Sequence, residues 1–438
     1  MSKKVTGLSL SPCFQRQYSA ITKVIHHFDL GKRFQSQGHR FDEWEGVYYQ
    51  SVASLMPARF YDRYYVLGSD VTPAEKVFSD CHSDRQFVYQ PSKGKHQRPI
   101  AIGHKSSCLA IFSNEKRWLI PLSIRRVGSK QSENEVGLEQ LRAVLKDANL
   151  GLNNTPCIHL GDSTYSNVAY LYHSSQIQNL ITLSRLRGNR TLYLQPERVP
   201  GKKGTPRKYG NSFNLKKPET WPEPHAQPNW EIEPIKGHRQ FVEAIEFREV
   251  IMRRKYKLPM NKIPLRVIGF QIVDQHGKPK LDRRLWVVIA GKQRNELSIE
   301  QIFTLYRKRF DIEHFFRFCK QKLLFNDFQS PRVDHLENWW QIVSIAWTLL
   351  FAARNLAQVM PNPWERYLPI FNPDPQQESI PPPASVQRDY YRIIQAFEPI
   401  TPPPKLVKKA KGRQKGHKQI PRKHFQPIKK KKKIAKTR

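Results

Sequence analysis

SIEQIFTLYRKRFDIEHFFRFCKQKL, Ser298 to Leu323, is the stretch whose reading decides the fold. Ser298 with Gln301 three residues on forms a capping box, in which each side chain accepts from the other's backbone N–H, so the spacing predicts a helix opening there. Ile302, Leu305, Ile312, Phe315, Phe316, Cys319 and Leu323 recur at helical spacing and give an apolar face. Tyr306, Arg309, Glu313 and Lys320 share a second face, because they lie three, four and seven residues apart. Taken alone, such a charged face is most often a solvated stripe with an Arg–Glu pair at i,i+4. One carboxylate flanked by a phenol, a guanidinium and an ammonium also suits a metal ion and phosphates.

Working outward, two runs upstream share a pattern. RYYVLGSD, Arg63 to Asp70, reads as a short apolar strand ending in Gly-Ser-Asp, and TPCIHLGD, Thr155 to Asp162, as another ending in Gly-Asp. An aspartate at the carboxyl end of a strand is where ligands gather in open sheets, and equally where a turn or an N-cap falls. After a polar excursion over 71–104, Ser107–Ser113 and Arg117–Arg125 read as a hairpin across Asn114-Glu115. Glu133–Asn149 is an amphipathic helix, a second opens at Ser163 and runs to about Ser175, and Asn179–Ser184 is a further strand. Leu265–Asp274 and Arg284–Ala290 are strands, and Asn338–Leu356 is an apolar helix.

Tyr-x2-Arg-x3-Glu-x6-Lys, complete here as Tyr306, Arg309, Glu313 and Lys320, resembles the signature of DDE transposases of bacterial insertion sequences, the insertion-sequence-four superfamily. With the Ser298 helix added, the element order is the ribonuclease-H-like one. The resemblance implies an α/β, ribonuclease-H-like catalytic core, a mixed five-stranded sheet with helices, built from 61–187 and 263–360 and interrupted by a β-rich insertion at 188–262. A helical region at 1–60, with binding of the element's end as its implied role, precedes it. A proline-rich segment, 361–404, and a basic disordered tail, 405–438, follow it.

The same resemblance implies Asp70, Asp162 and Glu313 as catalytic metal ligands, and Tyr306, Arg309 and Lys320 as contacts to DNA phosphates. The implied cofactor is Mg2+, with Mn2+ as a substitute, since hard oxygen ligands suit these ions and two ions about 3.5–4 Å apart clamp both oxygens of an in-line displacement. The implied activity is cleavage and strand transfer at terminal inverted repeats. Double-stranded DNA, both element ends and target, is the partner, and a homodimer is expected in the DNA complex. Trp221 and Trp230 in the insertion have two readings, stacking on an unpaired base or core packing, and the general burial of tryptophan favours the second. The alternative functions are a ribonuclease-H-like nuclease that cuts without joining and a catalytically dead DNA-binding repressor.

Composition bounds the rest. The chain has 438 residues and a formal charge of +37, enough length for two or three domains and a charge that points to a polyanionic partner, nucleic acid before membrane. Residues 405–438 hold sixteen Lys or Arg, including Lys429–Lys433, and no acid, which leaves +21 to the body. Such a segment reads as disordered on its own. Gly201–Lys208 is a second basic loop. Five scattered cysteines without a CxxC speak against a disulfide framework and a zinc site and make a reducing cytosol the default, and the resemblance implies a bacterial cytoplasm with the protein at the nucleoid. His82, His96 and His104 near Cys81 read as loop residues before metal ligands. The N-terminus lacks an apolar signal region, and the most apolar run, Ile342–Ala353, is too short to span a bilayer, so no membrane association is expected.

Overall fold

The computed structural model describes residues 18–28, 42–89, 99–197, 207–235, 238–255, 257–358, 380–397 and 420–429, with a few isolated residues between them. Helices α1 (Tyr18–His27) and α2 (Asp42–Ala53) precede strands β1 (Tyr65–Glu75), β2 (Gln86–Tyr89), β3 (Ile100–Phe112) and β4 (Leu119–Val127). Next come α3 (Glu133–Lys146), β5 (Cys157–Gly161), a 3-10 turn at Ser163–Ser166, α4 (Val168–Ser175) and β6 (Leu180–Leu186). Strands β7 (Thr191–Tyr193), β8 (Ser212–Asn214), β9 (Asn229–Ile235), β10 (His238–Val250), β11 (Leu265–Asp274) and β12 (Leu285–Ala290) follow. The chain ends in α5 (Ile299–Lys308), α6 (Phe310–Lys322), α7 (Val333–Ala353) and α8 (Pro383–Phe397). His96, the loop core Gly201–Gly204, most of the proline-rich segment and Lys430–Lys433 fall outside the described residues.

The fold is mixed α/β around one large mixed sheet, in the order β2-β3-β1-β5-β6-β12-β11-β10-β9, with β4 also paired to β3. Strands β1, β5 and β6 are parallel, and every other pairing in this sheet is antiparallel. The expectation of a five-stranded sheet is corrected: the sheet has ten strands. β12 pairs antiparallel with β6, so the edge that a five-stranded sheet would leave bare is covered, and β11, β10 and β9 extend it. Among the described residues only β7 and β8, at Thr191–Tyr193 and Ser212–Asn214, form a separate two-stranded sheet.

Alternation along β3 shows which helix covers which face. Ser107 bonds Gln140 of α3 at 2.7 Å, while the next residue, Cys108, lies in the electrostatic range of Cys319 on α6. Helix α3 therefore covers one face and α6 the other. α3 opens with its own capping box, Ser132 with Glu135, and buries Val136, Leu141 and Val144. Helix α7 lies over β4 and receives the N-terminal helices: the Tyr48 hydroxyl bonds Thr348 at 2.7 Å, and Asn338 donates to the Ile25 carbonyl at 2.8 Å. Trp221 and Trp230 both pack inward, the first on Phe247 and Trp286, the second on Phe270 and Phe303.

The tail expectation also needs correcting. Residues 420–429 are not free: they run beside β2, and Ile428 bridges in parallel to Gln86. The reason is that backbone groups bond regardless of side-chain charge, so a lysine-rich composition does not prevent docking onto a strand edge.

One buried ion pair ties the second half of the sheet to the start of α5. Arg266 on β11 is 2 % exposed and Glu246 on β10 is fully buried, and the two are hydrogen-bonded. The same guanidinium donates to the carbonyl of Leu297, the residue before the Ser298 cap, at 2.6 Å. Removing one member of a buried pair typically costs about 3–5 kcal/mol. Arg266→Met should sit near about 3 kcal/mol in denaturant unfolding, because Arg248 still reaches Glu246 at 2.9 Å. Adding Glu246→Met should recover most of that loss, and a double variant no more stable than the single one would show that the loss is not electrostatic.

Candidate active site

The site begins in the register of β1 against β5. Tyr65 to Ser69 pair in parallel with Cys157 to Gly161, and Ser69 opposite Gly161 is the last pair. Asp70 and Asp162 are the next residues on each chain, so they stand side by side where the strands part. Gly161 is required there: a Cβ on it would lie 2.7 Å from the Tyr165 Cβ and 3.0 Å from the Ser184 hydroxyl. The strand expected to stop at Asp70 continues to Glu75, so Asp70 lies within β1 and ends only its parallel pairing. Asp162 directly follows β5 and also caps the 3-10 turn, accepting from Thr164 N at 2.8 Å and Thr164 Oγ1 at 3.1 Å.

The other four residues come from α5 and α6. Ser298 and Gln301 form the capping box in full. The single helix expected through Leu323 is two helices, parted at Arg309, whose amide bonds back to the Tyr306 carbonyl at 3.2 Å. At the break the Arg309 side chain is buried beside the rings of Tyr306 and Phe310, 5.9 and 5.0 Å from their centroids, and bonds Glu313 at 2.7 Å. Its Nε is buried without a hydrogen-bond partner. Tyr306 is buried, and the Glu313 side chain is 40 % exposed and outside the apolar core.

Electrostatics join these residues. Asp70 pairs with Cys108 in register and so lies on the α6 face. Desolvation pushes its carboxyl up to about 7, with Asp162 and Glu313 adding to the rise and Arg309 and the Val71 amide opposing it. Burial works against the charge of Arg309, but Tyr306, Glu313 and Asp70 outweigh it and raise its pKa. Burial lowers Lys320, with Asp70 and Glu75 pulling the other way, and burial raises Tyr306, which also feels Arg309, Arg185 and Asp162.

A divalent cation would fit the chemistry of this set. Asp70 is a desolvated oxygen ligand beside other carboxylates, and Asp162 lines the same recess of about 200 Å³. Among the described residues no three His, Cys, Asp or Glu side chains stand close enough to hold one ion. Glu313 is engaged by Arg309, whose guanidinium supplies the positive charge that the carboxylates otherwise lack.

Sequence reading gave no role to Lys105, Glu133 or Arg185. Lys105 on β3 and Glu133 at the start of α3 pair at 2.6 Å and line the recess with Asp70 and Asp162. Arg185 on β6 is exposed and follows Ser184, the partner of Gly161. These are ordinary charged positions in sequence, and only the sheet brings them to the site. Among the histidines, His82 bonds His104 at 3.3 Å and the Ser330 carbonyl.

Residues 30–244 match the family model described as DDE superfamily endonuclease. The match includes Asp70 and Asp162 and ends before α5. No curated protein matches. Among solved structures the chain is similar to the NurA nuclease from Sulfolobus solfataricus, at 9 % identity over 77 % of this chain and 99 % of that one, with a TM-score of 0.21. A score that low carries no weight for the fold. No helix among the described residues is long and apolar enough to cross a membrane.

The raised carboxyl of Asp70 sets a pH dependence. Its folded pKa, about 7, lies above the ordinary 3.8, so between these values the unfolded chain releases the proton first and stability falls as pH rises. In EDTA, Asp70→Asn should therefore melt above the wild type at pH 8, with the gain shrinking toward pH 4. A melting difference that grows on acidification would contradict this environment for Asp70.

Proposed function

We propose that this protein is a Mg2+-dependent DDE transposase that cleaves DNA at the terminal inverted repeats of an insertion sequence and joins the ends to target DNA. The observation that carries the reading is the pair Asp70 and Asp162, set side by side at the end of the β1–β5 pairing, with Arg309, Glu313 and Lys320 in the field of Asp70. The strand order supports a ribonuclease-H-like core: β4, β3, β1, β5 and β6 run third-second-first-fourth-fifth. The DDE superfamily match and the charge of +37 support a DNA substrate.

In this reading Asp70, Asp162 and Glu313 would hold Mg2+, which would supply Lewis-acid stabilisation of the phosphate charge when bound. Arg309 presents a planar fork suited to a phosphate, and the Tyr306 and Phe310 rings fix its plane. Its bond to Glu313 holds that carboxylate beside the site until phosphate competes for the guanidinium. Lys320 meets phosphate as a point charge, and phosphate restores the cationic form that burial disfavours. The region at 1–60 is assigned to the element's end, 61–187 and 263–360 to the catalytic core, 188–262 to the insertion, and a homodimer to the DNA complex. The endonuclease description of the matching family favours a second reading, a nuclease that cuts without joining.

Labelled end DNA incubated with Mg2+ or Mn2+ tests both. The transposase reading expects cleaved and joined products. Asp70→Asn, Asp162→Asn and Glu313→Gln should each abolish both while end binding persists. Arg309→Lys and Lys320→Ala should retain partial activity, reduced about 10- to 100-fold, the range of a lost charge-assisted bond. Cleavage without joined product would replace the transposase by the nuclease, and triad variants that still cut would remove the assignment of the centre.

A further inference from the structure

The docked C-terminal segment is anchored on the stretch from Asp80 to Gln86. Phe425 N donates to the Asp80 carbonyl at 2.8 Å, and Ile428 N to the Arg85 carbonyl at 2.6 Å. Arg85 Nη2 donates to the Phe425 carbonyl at 2.8 Å, and His424 Nδ1 meets the Asp80 carboxylate at 2.6 Å. The anchor is part of the fold, since Arg85 is 3 % exposed and also bonds the carbonyls of Lys76 and Val77.

This docking places Arg422 on a cleft of about 840 Å³ that Lys320 of α6 also lines. Lys320 interacts with Asp70 and with Glu75 at the end of β1, so the cleft runs on from the carboxylate centre. Neither Lys320 nor Arg422 has an ion-pair partner among the described residues. Of the acids there, Asp80 is taken by His424 and Glu75 lies in the field of Lys320, which leaves Asp327. The exposed ring of Phe78 lines the same cleft.

We propose that this cleft carries a DNA strand past the catalytic carboxylates, with Lys320 and Arg422 contacting its phosphates, so that the docked segment is a wall of the DNA-binding surface. The proposal rests on the DNA-cleaving reading and deepens it. It also separates the segment from the rest of the tail, whose lysines attract DNA without a fixed position.

The test uses the full chain. Phe425→Pro with Ile428→Pro removes the two anchoring N–H groups and leaves every charge in place. Binding to end duplex, followed by fluorescence anisotropy across a sodium chloride series, should weaken about tenfold and lose about 0.9 of salt slope, the share of one phosphate contact. Arg422→Ala should do the same, combining it with the proline pair should add little, and Arg422→Lys should keep the slope. A proline pair that binds as the wild type would mean a tail that acts only through its charge. One that binds more tightly would mean a strap covering the cleft. Either result overturns the proposal. Cleavage by Asp70→Asn in the same preparations would instead remove the catalytic reading and leave the binding result standing.

Discussion

Everything in the candidate centre depends on one register. Ser69 opposite Gly161 closes the parallel pairing of β1 with β5, and the two aspartates, 92 residues apart in sequence, follow as neighbours. A slip of one residue on either strand would turn one carboxylate to the other face of the sheet. The register is held on both sides: β3 pairs with β1 from Leu67 to Glu75, and β6 pairs with all of β5. Gly161 leaves room for Tyr165 to close beneath the site, and Tyr165 is almost completely buried. Packing thus fixes a spacing that the carboxylates, repelling one another, would not choose.

That repulsion explains the position of Arg309. A buried carboxylate near two others needs a cation, and the guanidinium at the junction of α5 and α6 supplies it. It sits where α5 gives way to α6, so the residue that balances charge lies at the break in regular structure. Arg266 does comparable work farther out, compensating Glu246 and holding the Leu297 carbonyl at the entry to α5. Two arginines therefore set where α5 begins and where it ends, and α6 is carried into place between them and the sheet.

Much of this was legible where local rules govern. The capping box at Ser298 occurs where the sequence puts it, because a cap needs only residues three apart. Leu265–Asp274 matched its expected bounds, being a continuous apolar run in the sheet interior. The continuation of β1 to Glu75 was hidden by Pro73, a residue that usually ends a strand. Beyond Ser69, however, β1 pairs with β3 alone, and an unpaired side tolerates a missing N–H. The joining of β12 to β6, the convergence of Lys105, Glu133 and Arg185, and the docking of Phe425 and Ile428 depend on contacts between distant segments, which no local pattern encodes. The four residues of the helical signature were found by periodicity, but their meeting with Asp70 required the sheet.

The order of the strands has a consequence for biosynthesis. A chain emerging from the ribosome completes β6 at Leu186, and with it the neighbourhood of both aspartates, 127 residues before Glu313 appears. During that interval the nascent protein holds two carboxylates without Arg309, Lys320 or the glutamate. β12, which pairs with β6, and Leu297, whose carbonyl Arg266 holds, also lie between Leu186 and α6 in the chain. The candidate centre is therefore completed only when α6 arrives, and a fragment released before that keeps two of its three carboxylates and neither Arg309 nor Lys320.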